Sequence, residues 1–467
     1  MKNRIKQYLL AASMCVGLTA CSDFFEPIPG VQFGLDETFA SKQRTEEYLN
    51  NVYSYVREVT DAIHPNTYGG IFTEASLDGA NRWNKTYAEW TNGSFNSASA
   101  QASEYFSKYY QAIAKASTFI QNVDKCTEAA ASTRGKWKSE ARALRAYYYF
   151  ELLRLYGPIP LIGEDPIPLD ASLEELIKER NSVDECVNFI ATELQSAIDS
   201  GDLLQRAGKA NLGRMDVATC MALKAKLYLY WASPLFNGNT DQASVKNKDG
   251  RQLFPQTEDN SKWTQARDAY ERFMTFATGQ GYKLTEVYTN GKLDPYASCR
   301  AAGEFFTTTW EAVDELIFVK LRDLYDYTYW VCPKFTDFQD TDVTGGGGYY
   351  TTQETVDLFF TKDGLTIEED PGYDKFEGIP SANNFTSGRY YDPNNPSRLY
   401  FDADKSKVLK QWKDREPRFY VNITYSGSIW LNEGKYNEEM RTDFTNGANG
   451  TCGKSKASGD CPDSGYL

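Results

Sequence analysis

A single histidine, His64, in 467 residues leaves no material for a multi-histidine metal site or an HExxH motif. No CxxC pair, GxSxG elbow or phosphate-cradling glycine loop occurs either, which removes the usual signatures of zinc sites, serine hydrolases and nucleotide enzymes. Beyond the first twenty residues no stretch offers eighteen uncharged apolar residues, so no spanning helix is predicted there. Positive charge is in deficit: 50 Lys and Arg face 64 Asp and Glu, a balance of -14, and no basic stripe interleaves with aromatics. Such a chain repels nucleic-acid phosphate. Global disorder is excluded by 41% hydrophobic and 14% aromatic residues, enough apolar surface to offset chain entropy. The abundant residue is tyrosine, with 32 copies.

The N-terminus reads as an export signal. Lys2, Arg4 and Lys6 precede an uncharged stretch from Tyr8 to Ala20, too short to span a membrane. It ends in Leu18-Thr19-Ala20-Cys21, which resembles the lipobox of bacterial lipoproteins and implies residues 1–20 as a signal peptide and Cys21 as the acylated first mature residue. Several acyl chains anchor durably where one does not. Removing the leader leaves 47 basic residues against 64 acidic ones, a balance of -17. Ser22, Asp23 and Glu26 resemble the short surface-export tag of Bacteroidota lipoproteins. Past Cys21, seven cysteines remain, an odd count; Cys126, Cys186 and Cys220 fall in helical segments as small hydrophobes, while Cys452 and Cys461 sit in a Gly/Ser-rich loop where pairing stays open.

Apolar periodicity predicts helices over Ser41–Val59, Ser103–Lys125, Thr133–Tyr156, Val183–Ser200, Met215–Ala232 and Ser261–Thr278. In the third, Trp137, Ala141, Leu144, Tyr148, Leu152 and Leu155 form one stripe, with Glu140, Arg142, Arg145, Glu151 and Arg154 mostly off it. Gly157-Pro158 stops that helix and Ser233-Pro234 stops the fifth. Tyrosine-, alanine- and leucine-rich faces of this length suggest helical pairs stacked in a tetratricopeptide-like array. After about residue 280 glycine, proline, asparagine and aspartate become frequent, Gly345 to Gly348 form a four-glycine run, and apolar runs shorten to strand-like pieces such as Glu315–Leu321 and Phe419–Tyr425. The expected architecture is mainly α: a helical region over 21–280 and a loop-rich region over 281–467 carrying short β-hairpins.

Three segments carry a family resemblance. Glu140-Ala-Arg-Ala-Leu-Arg-Ala-Tyr-Tyr-Tyr-Phe-Glu-Leu-Leu-Arg-Leu-Tyr-Gly-Pro-Ile-Pro-Leu161 resembles the signature helix and turn of the SusD/RagB family of outer-membrane nutrient-binding lipoproteins. Lys224 to Trp231 resembles a later core helix of that family, and Arg415-Glu-Pro-Arg-Phe its late Asp-Pro-Arg-Phe strand motif. The resemblance implies a lipid-anchored protein of the cell outer membrane, facing outward, that binds a nutrient glycan without a cofactor and sits on a SusC-type TonB-dependent porin. Family members continue past a segment like Ser464 to Leu467 into a strand and a further helix, so an incomplete C-terminal end is expected here.

The expected ligand loop runs from Thr73 to Trp90. A pyranose rests its C–H face on an aromatic plane while a few polar groups fix its hydroxyl rim. Trp83 and Trp90 are the candidate platforms and Asp78, Asn81 and Arg82 the candidate polar partners; packing beneath the loop is the competing role for each tryptophan. A second aromatic cluster, Tyr325, Tyr327, Tyr329 and Trp330, places its odd positions on one face if extended, and precedes Tyr349-Tyr350. Asp337, Asp340 and Asp342 offer oxygen ligands to calcium but do not match the EF-hand spacing, and His64 beside Pro65 reads as a cap or surface residue. The expected function is non-enzymatic glycan capture and hand-over. Two rivals stand beside it: a helical array that only docks on a transporter, with peptide or other non-glycan cargo, and a glycosidase using a carboxylate pair that nothing in the sequence singles out.

Overall fold

The computed structural model describes residues 33–56, 76, 79–81, 93–165, 167, 171–303, 314–320, 349–376, 380–404, 407–432 and 438–441. The helices are α1 (Leu35–Ala40), α2 (Lys42–Tyr53), α3 (Ala100–Asn122), α4 (Ala131–Tyr156), α5 (Leu173–Leu176), α6 (Val183–Asp199), α7 (Val217–Ala232), α8 (Ser261–Gly279), α9 (Pro295–Gly303), α10 (Gln353–Asp357) and α11 (Pro417–Asn422). Short 3-10 turns and four antiparallel two-stranded ribbons accompany them: β1 (Ala80–Asn81) with β4 (Tyr349–Tyr350), β2 (Tyr288–Thr289) with β3 (Lys292–Leu293), β5 (Arg389–Asp392) with β6 (Asn395–Asp402), and β7 (Ile429–Asn432) with β8 (Glu438–Arg441). The fold is helical, as periodicity predicts, with α3, α4, α6, α7 and α8 each packed on the next.

Local chemistry starts and stops these helices. Ser182 and Glu185 form a capping box at α6, the serine Oγ accepting from the Glu185 amide and the glutamate accepting from the Ser182 amide at 2.8 Å. At α7 the buried Asp216 carboxylate accepts from the Thr219 amide at 2.7 Å and from the Ala207 amide at 2.6 Å. Gly157 ends α4 at φ 67°, and a Cβ there would stand 3.0 Å from the Phe254 ring. Only glycine suits both conditions.

Helix α4 is wrapped on nearly every side. Its predicted stripe is buried from Trp137 to Leu152, but so are Ala143, Ala146, Tyr147, Tyr149 and Leu153 on its other faces, and so are Glu140, Arg145 and Glu151. Burial of an ion demands a partner. Arg145, at 0% exposure, donates through Nε and Nη2 to Glu193 Oε2 of α6 at 2.8 and 2.5 Å and through Nη1 to Ser117 Oγ of α3 at 3.1 Å. Arg142 holds the other Glu193 oxygen at 2.8 Å. The Arg145 side chain thereby joins α4 to both α3 and α6.

Cys126, Cys186 and Cys220 are buried free thiols, as the helical reading expects. Cys299 is a half-buried one, and Cys332, Cys452 and Cys461 lie outside the described residues.

A second, smaller core gathers Val356, Phe401, Val408, Trp412, Phe419 and Tyr425. Here the strand expected over Phe419–Tyr425 is corrected: residues 417–422 are α11, with Pro417 at its first turn. Proline presets the helical φ at that position, where its missing amide costs nothing. The adjoining Arg415 is buried and donates to the Val356 and Phe359 carbonyls at 2.7 and 2.8 Å and to the Tyr373 hydroxyl at 2.6 Å. The other strand-like piece, Glu315–Leu321, is corrected as well, since residues 315–320 carry no strand. Their polar groups serve as anchors: the Ile317 carbonyl accepts from Thr219 Oγ1 at 3.2 Å.

Beside this core, Arg398 lies over the Tyr296 ring and donates to both Asp294 oxygens at 2.9 and 3.0 Å and to Asp392 at 2.7 Å, tying α9 to the β5–β6 hairpin.

Two outcomes follow from these ion pairs. Arg145→Leu lowers the unfolding free energy by about 3 kcal/mol in urea, because Glu193 keeps only Arg142, whereas Arg145→Leu with Glu193→Leu costs less; a single variant no worse than the double would remove the pair from the account. The hydrogen bonds from Arg398 hold the Asp294 carboxyl down at about 2, below its ordinary 3.8. The stabilisation is present above the ordinary value and is lost as pH falls from there through about 2, so Asp294→Asn flattens the acid limb of stability against pH.

Candidate functional site

The chain is pinned together at two places that border the stretches 57–75 and 321–348. Lys320 ends the anchored segment 314–320, and its Nζ donates to the Ser54 carbonyl at 3.1 Å and the Val56 carbonyl at 2.7 Å. Val56 is the last described residue before 57–75 and Lys320 the last before 321–348, so the polypeptide enters both stretches from one point. Their other ends meet again in the β1–β4 ribbon, where Ala80 pairs with Tyr350 and Asn81 with Tyr349.

Beneath the shared entry is a cleft of about 300 Å³ lined by Tyr53, Val56, Arg214, Phe318 and Lys320 among others. The frame builds it from four elements. The Tyr53 hydroxyl, from the end of α2, donates to Glu140 Oε2 of α4 at 2.8 Å and accepts from the Met215 amide at 2.9 Å. Arg214 pairs with the same Glu140 oxygen at 3.3 Å and with Glu46 of α2 at 3.0 Å. Phe318 lies edge-on to the Tyr147 ring of α4. Gly213 has φ 82°, and a Cβ would stand 2.7 Å from the Val319 carbonyl, so the close approach of segment 314–320 depends on a residue with no side chain. Burial pushes the Glu140 carboxyl above the ordinary range, and burial together with the neighbouring Glu140 charge keeps the Tyr53 phenol protonated far above its usual value. The phenol, the guanidinium and the ammonium are each engaged in these contacts, so the network fixes the walls of the cleft and joins the end of α2 to the turn before α7 and to segment 314–320.

Of the residues singled out by sequence, Asn81 lies in β1. Asp78, Arg82, Trp83, Trp90, Tyr325, Tyr327 and Trp330 lie outside the described residues, as do Cys21, His64, Asp337, Asp340 and Asp342. Tyr53, Arg214, Phe318 and Lys320 escaped sequence reading. A signal for one existed: Gly213-Arg-Met-Asp216 stands directly before a helix start, where a charged residue beside a glycine marks a tight, purposeful turn. Among the described residues no group of three or more His, Cys, Asp or Glu side chains is placed to hold a metal ion, and no helix is long and apolar enough to cross a membrane.

A SusD-like family model, described as "Starch-binding associating with outer membrane", matches residues 32–229, and a second, "SusD family", matches residues 315–467. The chain belongs to the SusD/RagB family. A SusD-like protein of Bacteroides ovatus is 27% identical over 175 residues, 36% of this chain and 30% of that protein, so the match spans less than a third of the relative. The fold of this SusD/RagB chain is similar to that of BT4246, at a TM-score of 0.69 and 23% identity over 86% of this chain and 68% of that one. It is similar also to a SusD-like protein from Bacteroides fragilis, at a TM-score of 0.63 and 20% identity over 90% and 69%. The signature helix quoted from the sequence is α4, and the Arg-Glu-Pro-Arg-Phe motif is the entry to α11.

The Lys320 bridge makes one expectation measurable. Lys320→Met releases residues 54–56, and their backbone amides exchange hydrogen about tenfold faster while α4 stays protected; unchanged exchange would mean that the two loops are held by other contacts.

Proposed function

We propose that this protein is a surface lipoprotein that captures a nutrient glycan between its two aromatic loops and passes it to a SusC-type TonB-dependent porin of the outer membrane. The observation that carries this reading is the double juncture described above. Lys320 meets the Ser54 and Val56 carbonyls, and β1 pairs with β4; on this support we read the stretch holding Tyr325, Tyr327 and Trp330 and the one holding Asp78, Asn81, Arg82, Trp83 and Trp90 as two sides of one site. Two sets of aromatic planes on adjoining loops suit the two sides of a sugar chain, with Asp, Asn and Arg at its rim.

The anchor in this reading is Cys21, acylated after removal of residues 1–20, with residues 21–280 as the helical frame and 281–467 as the loop-rich region. Family membership supports the lipoprotein and porin roles, and a protein of similar fold from Bacteroides fragilis, at a TM-score of 0.57 and 17% identity, is named a SusD-like carbohydrate binding protein. The work is binding and transfer, without a catalytic residue and without a cofactor.

The test is affinity gel electrophoresis of the chain carrying Cys21→Ser through gels cast with host, plant and microbial glycans. Retardation on one glycan is expected, weakened about tenfold or more by Trp83→Ala or Trp90→Ala with the circular dichroism spectrum unchanged. A folded protein retarded by no glycan in the panel would favour non-glycan cargo. Retardation unaffected by both tryptophan variants would remove the 73–90 loop from the site.

A further inference from the structure

A second concave site runs along α3. Phe106, Tyr110, Ile113 and Ser117 recur at spacings of four, three and four and share one face of that helix. Phe119 and Lys115 belong to a different face, which meets Tyr48 of α2. Over the first face residues 156–162, Ile167 and residues 176–180 form a groove of two lobes, about 520 and 430 Å³, that share Phe106, Pro160 and Lys178. Each lobe has the size of a small-molecule site, roughly 300 to 1,000 Å³.

The lining states the chemistry of the occupant. One lobe is aliphatic, with Ile113, Ala114, Ile162, Ile167, Leu176 and Ile177. The other is aromatic, with Phe95, Tyr105 and Tyr156, and it carries Arg180. Phe106, Leu176 and Ile177 remain 38, 51 and 66% exposed, a concentration of bare apolar surface that water disfavours. A sugar finds few partners here: the Tyr110 hydroxyl donates to the Pro160 carbonyl at 2.7 Å, and Ser117 Oγ is taken by Arg145. Hydroxyls buried against such a wall lose their water without compensation. The charged groups lining the two lobes are both cations. Lys178 and Arg180 are exposed, and among the described residues neither stands within ion-pairing distance of a carboxylate, in a chain where acids outnumber bases by 14.

We propose that this groove binds a long-chain fatty acid, its acyl tail along the aliphatic lobe and its carboxylate between Lys178 and Arg180. Lys178 lines both lobes and Arg180 the aromatic one, so a chain lying on Ala114 and Ile177 has a cation at the junction and a second in the neighbouring lobe. Arg180 supplies a planar fork that matches a carboxylate. This site is independent of the glycan reading, since it shares no residue with the two loops.

The experiment is displacement of a dansyl-labelled undecanoate from the chain carrying Cys21→Ser, which has no acyl group of its own. Saturable probe emission is expected, displaced by palmitate more strongly than by octanoate, with a step smaller than the roughly fourfold per CH₂ of full burial because the groove is open. Dodecanol binds about tenfold more weakly than dodecanoate, and Lys178→Ala with Arg180→Ala erases that difference. Ala114→Trp fills the aliphatic lobe from an exposed position and removes binding while the circular dichroism spectrum is kept. The proposal is overturned by absence of saturable binding, by equal affinity for dodecanol and dodecanoate, or by binding that survives Ala114→Trp. Displacement by a synthetic leucine–glutamate peptide and not by palmitate would overturn it too, in favour of a polypeptide partner.

Discussion

Everything in the helical frame rests on the condition that α4 imposes by being surrounded. A helix exposed on one side can leave its charges in water, but Arg145 has none to reach, so Glu193 of α6 and Ser117 of α3 must be present and aligned for the array to close. The same requirement recurs at Glu140, which needs Tyr53 from α2 and Arg214 from the turn before α7. These bonds contribute less as net stability than as specification, since a slip of one helix by a turn would strand an ion in an apolar interior. The packing of alanines and tyrosines fills the space, and the ionic pairs fix which helix faces which.

That division explains what the sequence made legible. The long helices were visible because their apolar residues recur every three or four positions and because serine, aspartate, glycine and proline mark their ends. The surrounding of α4 was not, because the stripe from Trp137 to Leu155 resembles that of a helix with one wet side; only the tertiary partners of Arg145 and Glu140 reveal the other faces. The segment 417–422 misread as strand for a similar reason. Its aromatic and branched residues favour an extended chain, but Pro417 and the buried Arg415 decide the local conformation, and that bias is weaker than context in so short a piece. Likewise residues 315–320 read as strand from their apolar content, while their actual role is to be gripped by Thr219, Gly213 and the end of α2.

Aromatic loops are features of the sequence, and the contacts that pin the chain at Val56 and Lys320 are features of the fold. Two tryptophans in an aperiodic loop and an aromatic run before four glycines are visible features. The contact of residues 54–56 with residue 320 is not, since they are separated by more than half the chain. The residues that make this meeting possible, Lys320 and Gly213, do not stand out in a linear reading because a lysine and a glycine are common and their meaning is purely spatial.

The paired anchorage of the loops has an evolutionary consequence. A stretch of chain fixed at both ends on a rigid frame can change length at little thermodynamic cost, about 0.6 kcal/mol for each doubling. The Lys320 contact and the β1–β4 ribbon pin the chain on either side of the stretches between them, so the closure cost of a longer or shorter stretch there is small beside that of losing an ionic partner of α4. Frame and connecting stretches can therefore diverge at different rates, the first held by its ionic pairs and the second only by where it is pinned.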